Sequence, residues 1–224
     1  MSVESRLATK LNVSYDTKQI SLFKYVLLIA GFSAVGILGR SAFQWIPSVE
    51  PILPMAISLS FLKDWRKGSL VGVSSFFASN FFVWGFQGPW TIFQCAGVYV
   101  ACIFSDYVSK ISNKRSLFFS SLVLGTLIYE LFVNVGSFLF FPWAVSIGIV
   151  YLVAAVPFGL IHIASSIGFG SIAYAFREKI RHVWEEEVLS VGAFDNSTFI
   201  NSSKYKNKLL RRKSNPGNNG NKRT

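Results

Sequence analysis

Ser79-Asn80-Phe81-Phe82-Val83-Trp84-Gly85-Phe86-Gln87-Gly88-Pro89-Trp90-Thr91-Ile92-Phe93-Gln94 is a polar, aromatic turn broken by glycine and proline, set between two long apolar segments. Outward from this turn the chain reads as six apolar segments: Phe23–Trp45, Val49–Leu62, Gly68–Trp84, Trp90–Val108, Ser116–Phe141 and Val145–Phe176. Most reach the roughly 17–25 residues that cross hydrocarbon at ~1.5 Å per residue. The second is short and carries Pro51 and Pro54, so it is expected to be tilted, broken or shielded by its neighbours. The chain is 51% hydrophobic and only 15% charged, whereas soluble domains carry about a quarter charged residues. These features describe an all-α membrane protein, a bundle of six transmembrane helices.

Charge sets the expected orientation, because short cytoplasmic loops retain Lys and Arg. Arg6, Lys10, Lys18 and Lys24 precede or open the first segment; Lys63, Arg66 and Lys67 join the second to the third; Lys110, Lys114 and Arg115 join the fourth to the fifth. All the remaining basic residues except Arg40 follow the sixth. The loops near Pro47, Gly88 and Pro142 hold none, so both termini are expected in the cytoplasm of a cell whose plasma membrane the chain crosses. The net charge of +11 is then a topology signal plus a basic tail, and a nucleic-acid partner, the usual reading of a basic protein, is not expected.

Three parts follow: a cytoplasmic N-terminal segment over 1–22, a six-helix transmembrane domain over 23–176, and a basic cytoplasmic tail over 177–224, expected to be largely disordered after about 190. Some twenty mixed polar residues before the first apolar run argue against a cleaved signal peptide. Cys95 and Cys102 are seven apart on one helical face, too far along the helix to bridge, and read as packing residues. The sequons that begin at Asn12, Asn196 and Asn201 fall on the cytoplasmic side and are discounted.

Polar groups inside the apolar segments are where function is expected, since an ionisable group near a helix centre costs about 2.5–3.5 kcal/mol on insertion scales. Arg40 lies ~25 Å up the first helix and Glu130 ~21 Å up the fifth, which places both in the outer half. Arg40 has two candidate partners, Glu130 and Glu50. Glu130, Asn134 and Ser137 follow an i, i+4, i+7 spacing and form one polar stripe. Asn80, Gln87, Trp90 and Gln94 reach the same outer level, with Phe82, Trp84, Phe86 and Trp143 as aromatic wall, giving an outward-opening cup. His162 is expected nearer the cytoplasmic half. Each polar residue also has a plainer reading as interhelical hydrogen-bond glue, and each Trp as part of an interfacial belt.

The run Ser79-Asn80-Phe81-Phe82 and the turn Gly85 to Gln94 resemble the third-to-fourth helix region of the substrate-binding S components of energy-coupling factor vitamin transporters. The likeness is closest to the cobalamin-type group, which carries a Ser-Asn-Phe-Phe run and a Gly-Gln-Gly-Pro-Trp-Thr turn followed by Gln. Here Val83-Trp84 is inserted and Phe86 separates Gly85 from Gln87. Ala30 and Ala34 match the family's small-residue docking motif, and Pro157-Phe158 with His162 match a Pro-Phe…His pattern in its last helix, with Ser165-Ser166 where Ser-Asn is usual.

The resemblance implies a subunit that captures a vitamin outside, with cobalamin or another corrinoid as the first candidate. It would then deliver that vitamin to a transmembrane coupling protein driven by two cytoplasmic ATPases. It also implies a substrate site drawn from Arg40, Asn80, Trp84, Gln87, Trp90, Gln94, Glu130, Asn134, Trp143 and His162, and docking through Ala30 and Ala34. The sequence holds no phosphate loop of the Gly-x-x-x-x-Gly-Lys-Ser/Thr type and no paired metal ligands, so neither ATPase activity, metal nor cofactor is expected. Two other classes stay open: a membrane-embedded enzyme using Glu130 and His162, disfavoured by their different expected depths, and a ligand-free scaffold similar to the rod-shape factors.

Overall fold

The computed structural model describes residues 3–82, 88–140, 146 and 148–184. These form six principal helices, α1 (Val3–Phe43), α2 (Ile52–Leu62), α3 (Trp65–Phe82), α4 (Trp90–Ile111), α5 (Arg115–Phe140) and α6 (Ile149–Ala175), and a further helical stretch at 177–184. No strand occurs among the described residues. The chain divides into two compact units: Lys24–Val183, which contains the helical bundle, and Met1–Phe23 with Trp184–Thr224. The part of the tail expected to be disordered lies outside the described residues, as do Trp84, Gln87 and Trp143.

Local chemistry explains the boundaries. Asp64 starts α3 by accepting the Arg66 backbone N–H through Oδ1 at 2.9 Å, the ordinary role of an N-terminal carboxylate. Pro89 immediately precedes α4, and Gly88 turns the chain into it with φ +56°. The first helix begins at Val3, well before Phe23, because residues 3–22 contain neither Gly nor Pro to stop it. Among the described residues four segments are long and apolar enough to cross a membrane: Leu22–Phe43, Trp90–Ile111, Arg115–Gly136 and Val153–Ala175.

The second helix accounts for the rest of the bundle. Pro51 precedes it and Pro54 lies in its first turn, where a missing N–H removes no intrahelical bond, so both prolines fit without a kink. Eleven residues rise only ~16 Å, half a hydrocarbon core. Every residue of α2 but Met55 is buried, packed against α3, α4, α5 and α6. It is thus the shielded central helix of the bundle. Close approach to α3 depends on Gly68, where a side chain would collide with the Ala56 carbonyl and Ser60. Around the C-terminal half of α2, Phe61 meets Phe118 edge-on at 5.3 Å, and Tyr174 of α6 tilts against Phe118 at 5.1 Å. The N-terminal half packs as well, with Ile52, Leu53 and Ala56 in the same apolar cluster as Phe76 and Val98, and the polar residue Glu50 lies just ahead of it.

Candidate ligand-binding site

The segment that leads into α2 brings Glu50 to the interior. Ser48, at φ +61°, bends it in a conformation uncommon for a side-chain-bearing residue. Ser165 of α6 bonds the Glu50 backbone, accepting its N–H at 3.3 Å. The Glu50 carboxylate thereby reaches Arg40 from α1, with Nε to Oε2 at 3.3 Å. Arg40 is only 8% exposed and is surrounded: Nη1 donates to Ser79 Oγ at 2.7 Å and to Asn80 Oδ1 at 2.8 Å, and its guanidinium lies 5.3 Å from the Phe76 ring centre. Of the two candidate partners, the nearer in sequence holds Arg40.

Glu130 pairs instead with His162, Oε1 to Nδ1 at 2.6 Å. His162 Nε2 lies 3.5 Å from Glu50 Oε1, an ion-pair distance, and neither of these two buried atoms makes a closer hydrogen bond elsewhere. A chain of ionisable groups, Arg40–Glu50–His162–Glu130, therefore links α1, the α2 entry, α6 and α5. His162 belongs to the same level as Arg40 and Glu130, which corrects its expected separation from Glu130. Depth counted along each helix assumes that all helices begin together. Arg40 stands ~5 Å from the end of α1, whereas His162 stands ~20 Å into α6, so α6 is staggered along its axis relative to α1. Phe43 at the end of α1 accordingly meets Phe169, further still along α6, at 5.5 Å.

Asn80 is a second correction. It is fully buried, with Oδ1 held by Arg40 and Nδ2 donating to Thr91 Oγ1 and to Gln94 Oε1, each at 2.8 Å. With these bonds made it stands behind the wall as a positioning residue and does not line the cup. Gln94 is in front of it, aligned by that bond. Asn134 donates to the Glu130 backbone carbonyl at 2.8 Å, which holds the polar stripe of α5 in register with its own helix.

These side chains surround a cavity of about 410 Å³. Six of the expected site residues line it: Arg40, Trp90, Gln94, Glu130, Asn134 and His162. Glu50 lines it too, although sequence reasoning gave it only as an alternative partner of Arg40. Ser48, Tyr129, Tyr151 and Phe158 complete much of the wall and were not foreseen. Tyr129 stacks on Phe76 at 5.4 Å and meets the His162 ring edge-on at 5.4 Å, so it fixes the imidazole from behind. Its position next to Glu130 on α5 was the available signal.

Away from the cavity, Ala30 and Ala34 are exposed on α1, and a Cβ placed on Gly31 between them would meet nothing within 4 Å. Ser33, Gly36 and Arg40 are buried on that helix. The two faces of α1 differ accordingly, one turned to the bundle and one left open with small residues. Cys95 and Cys102 are free thiols.

Compared with family models, with curated proteins and with solved structures, the chain matches none.

Proposed function

We propose that the chain is a membrane-embedded substrate-binding subunit of an importer of the energy-coupling factor type. In this reading it crosses the plasma membrane six times with both termini in the cytoplasm and takes up a small water-soluble vitamin or vitamin precursor. The observation that carries it is the convergence of Arg40, Glu50, Glu130 and His162, with Gln94 and Trp90, on one cavity. Ligand sites are concave, largely apolar and fitted with a few aimed polar groups in clefts of about 300–1,000 Å³, and this cavity has that character. Its 410 Å³ favours a compact ligand; a corrinoid, to which the sequence resemblance pointed first, would leave most of its bulk outside. Ala30 and Ala34 would serve as the face for the coupling protein, since small residues allow close backbone approach and release. That protein would be energised by two ATPases, as the chain holds no phosphate loop.

Denaturing the purified protein and recording the mass spectrum and visible absorption of what it releases tests the reading. A colourless small molecule recovered unaltered is the expected result; a coloured corrinoid would keep the function and replace the ligand. An empty protein that binds no vitamin would favour the scaffold reading and overturn this one. The orientation is tested in a background lacking Cys95 and Cys102. Trp45→Cys should label from outside and Asn113→Cys should not.

One observation favours a second reading. Glu130 and His162 at 2.6 Å form a carboxylate–imidazole pair on a cavity wall, the arrangement of a general acid–base dyad. Turnover of the recovered molecule, abolished in His162→Ala, would establish an enzyme.

A further inference from the structure

Away from the cavity, the start of α5 and the end of α6 meet around a pair of cations. Arg115 opens α5, Tyr174 lies in the last turn of α6, and Arg177 follows just beyond it. The Arg115 guanidinium stands 5.8 Å from the centre of the Tyr174 ring and 5.5 Å from that of Phe119, and the Arg177 guanidinium stands 4.5 Å from the Tyr174 ring. Two like charges from different elements thus share one aromatic side chain, and like charges so placed repel. Arg177 has Glu178 at 3.3 Å and donates through Nη1 to the Tyr174 carbonyl at 3.1 Å. That carboxylate is divided, since Arg181 lies 3.5 Å from the same oxygen. The exposed guanidinium of Arg115 has neither a carboxylate nor a hydrogen-bond acceptor among the described residues.

Position indicates what surrounds this pair. No charged residue lies on α5 between Arg115 and Glu130, or on α6 between His162 and Arg177, and Leu124, Leu127, Ile167 and Ile172 are exposed along those stretches. With α5 and α6 crossing a membrane, that surface faces hydrocarbon. Arg115 and Arg177 are then the first charges met on leaving it, at the headgroup level where aromatic rings such as Tyr174 also collect.

We propose that Arg115 and Arg177 form a binding site for the phosphate of an anionic phospholipid, with Tyr174 as its platform. A guanidinium presents a planar fork of N–H donors that matches a phosphate bidentately. Arg115 has its donors available and Arg177 retains Nη2. A phosphate between them relieves their repulsion, and its ester arm leads the acyl chains along the apolar surface of α5 and α6. An acidic peptide would satisfy the cations and leave that surface uncovered. The site is separate from the cavity and rests only on α5 and α6 crossing a membrane. Glu185, Glu186 and Glu187, which lie outside the described residues, are the competing candidates within the chain.

The test is native mass spectrometry of the full-length protein in detergent, titrated with dioleoylphosphatidylglycerol or dioleoylphosphatidylcholine. One phosphatidylglycerol should be retained in preference to phosphatidylcholine. Arg115→Gln with Arg177→Gln should weaken its retention by about thirtyfold, the value of two interfacial charges. Lys63→Gln with Lys67→Gln, which removes equal charge beside the start of α3, should leave it unaltered. Equal losses in the two double variants would report diffuse attraction and overturn the site. Absence of any preference between the lipids in the unmodified protein would overturn it too, a result that needs no variant to fold. Displacement of the lipid by inorganic phosphate at equal concentration would assign the pair to a free anion and reject the lipid. Retention that appears only when Glu185, Glu186 and Glu187 are all replaced by Gln would give the site to that acidic run and likewise reject it. The molecule released on denaturation should be the same from the Arg115→Gln, Arg177→Gln variant, so failure of the lipid site and failure of the binding-subunit reading are read separately.

Discussion

The two ends of α2 are surrounded by different materials. At its C-terminal end Phe61, Phe118 and Tyr174 interlock as rings, with Phe118 fully buried. Just ahead of the N-terminal end, Glu50 meets Arg40 and His162, and His162 meets Glu130, around open space. Close packing at one end supplies stability with no room for a ligand. The other end spends buried polar groups on a cavity, and is stable only because almost every charge has a partner. One central helix thus joins a packing region to a recognition region, and damage to each should read differently.

The sharpest way to break this contrast is to remove one residue from each end. Phe118→Ala should destabilise by about 3–5 kcal/mol through the cavity it leaves, and Arg40→Ala by a similar ~3–5 kcal/mol, because it strands a buried carboxylate. Unfolding titrations in detergent should show both losses, yet only Arg40→Ala should also abolish ligand binding by the fraction that remains folded. Equal loss of binding in the two would mean that the ends do not divide the work.

Smaller changes at the polar end sharpen the comparison. His162→Ala removes the partner of Glu130, and Gln94→Ala removes one acceptor from the Asn80 amide. Each should weaken binding of the copurified ligand by about 1–3 kcal/mol, roughly 5- to 150-fold. Cys95→Ala, whose thiol only approaches the Val73 carbonyl at 3.9 Å, should leave affinity unaltered. Isothermal titration of the three variants distinguishes recognition from packing on neighbouring turns.

The smallest effect on stability is expected on the open face of α1. Ala30→Trp with Ala34→Trp should change unfolding free energy by no more than ~0.5 kcal/mol, since both positions are exposed. Ligand binding by the isolated subunit should persist while uptake into cells stops. Normal uptake in the double variant would remove these alanines from any docking surface.

The helices were legible because their signals are local. Apolar runs between basic loops located α1, α4, α5 and α6, and the spacing of Glu130 and Asn134 placed both on one face. Pro51 and Pro54 announced an unusual second segment, and the structure turned that anomaly into a buried central helix. Glu50 was legible only as an alternative partner, since a residue just outside a helix carries no periodicity to say which way it points.

By itself, then, the sequence determined an all-helical chain with apolar segments, read as six spans where four among the described residues are long and apolar enough to cross a membrane, and it determined which polar residues would be costly there. Those properties follow from each residue's own hydration and from spacing along a single helix. Only the tertiary structure decided that His162 meets Glu130, that Asn80 stands behind the wall, and that Glu50 enters the interior. These outcomes depend on how far one helix slides along another, a displacement fixed by side chains of both helices packing together, which no position in either sequence records alone.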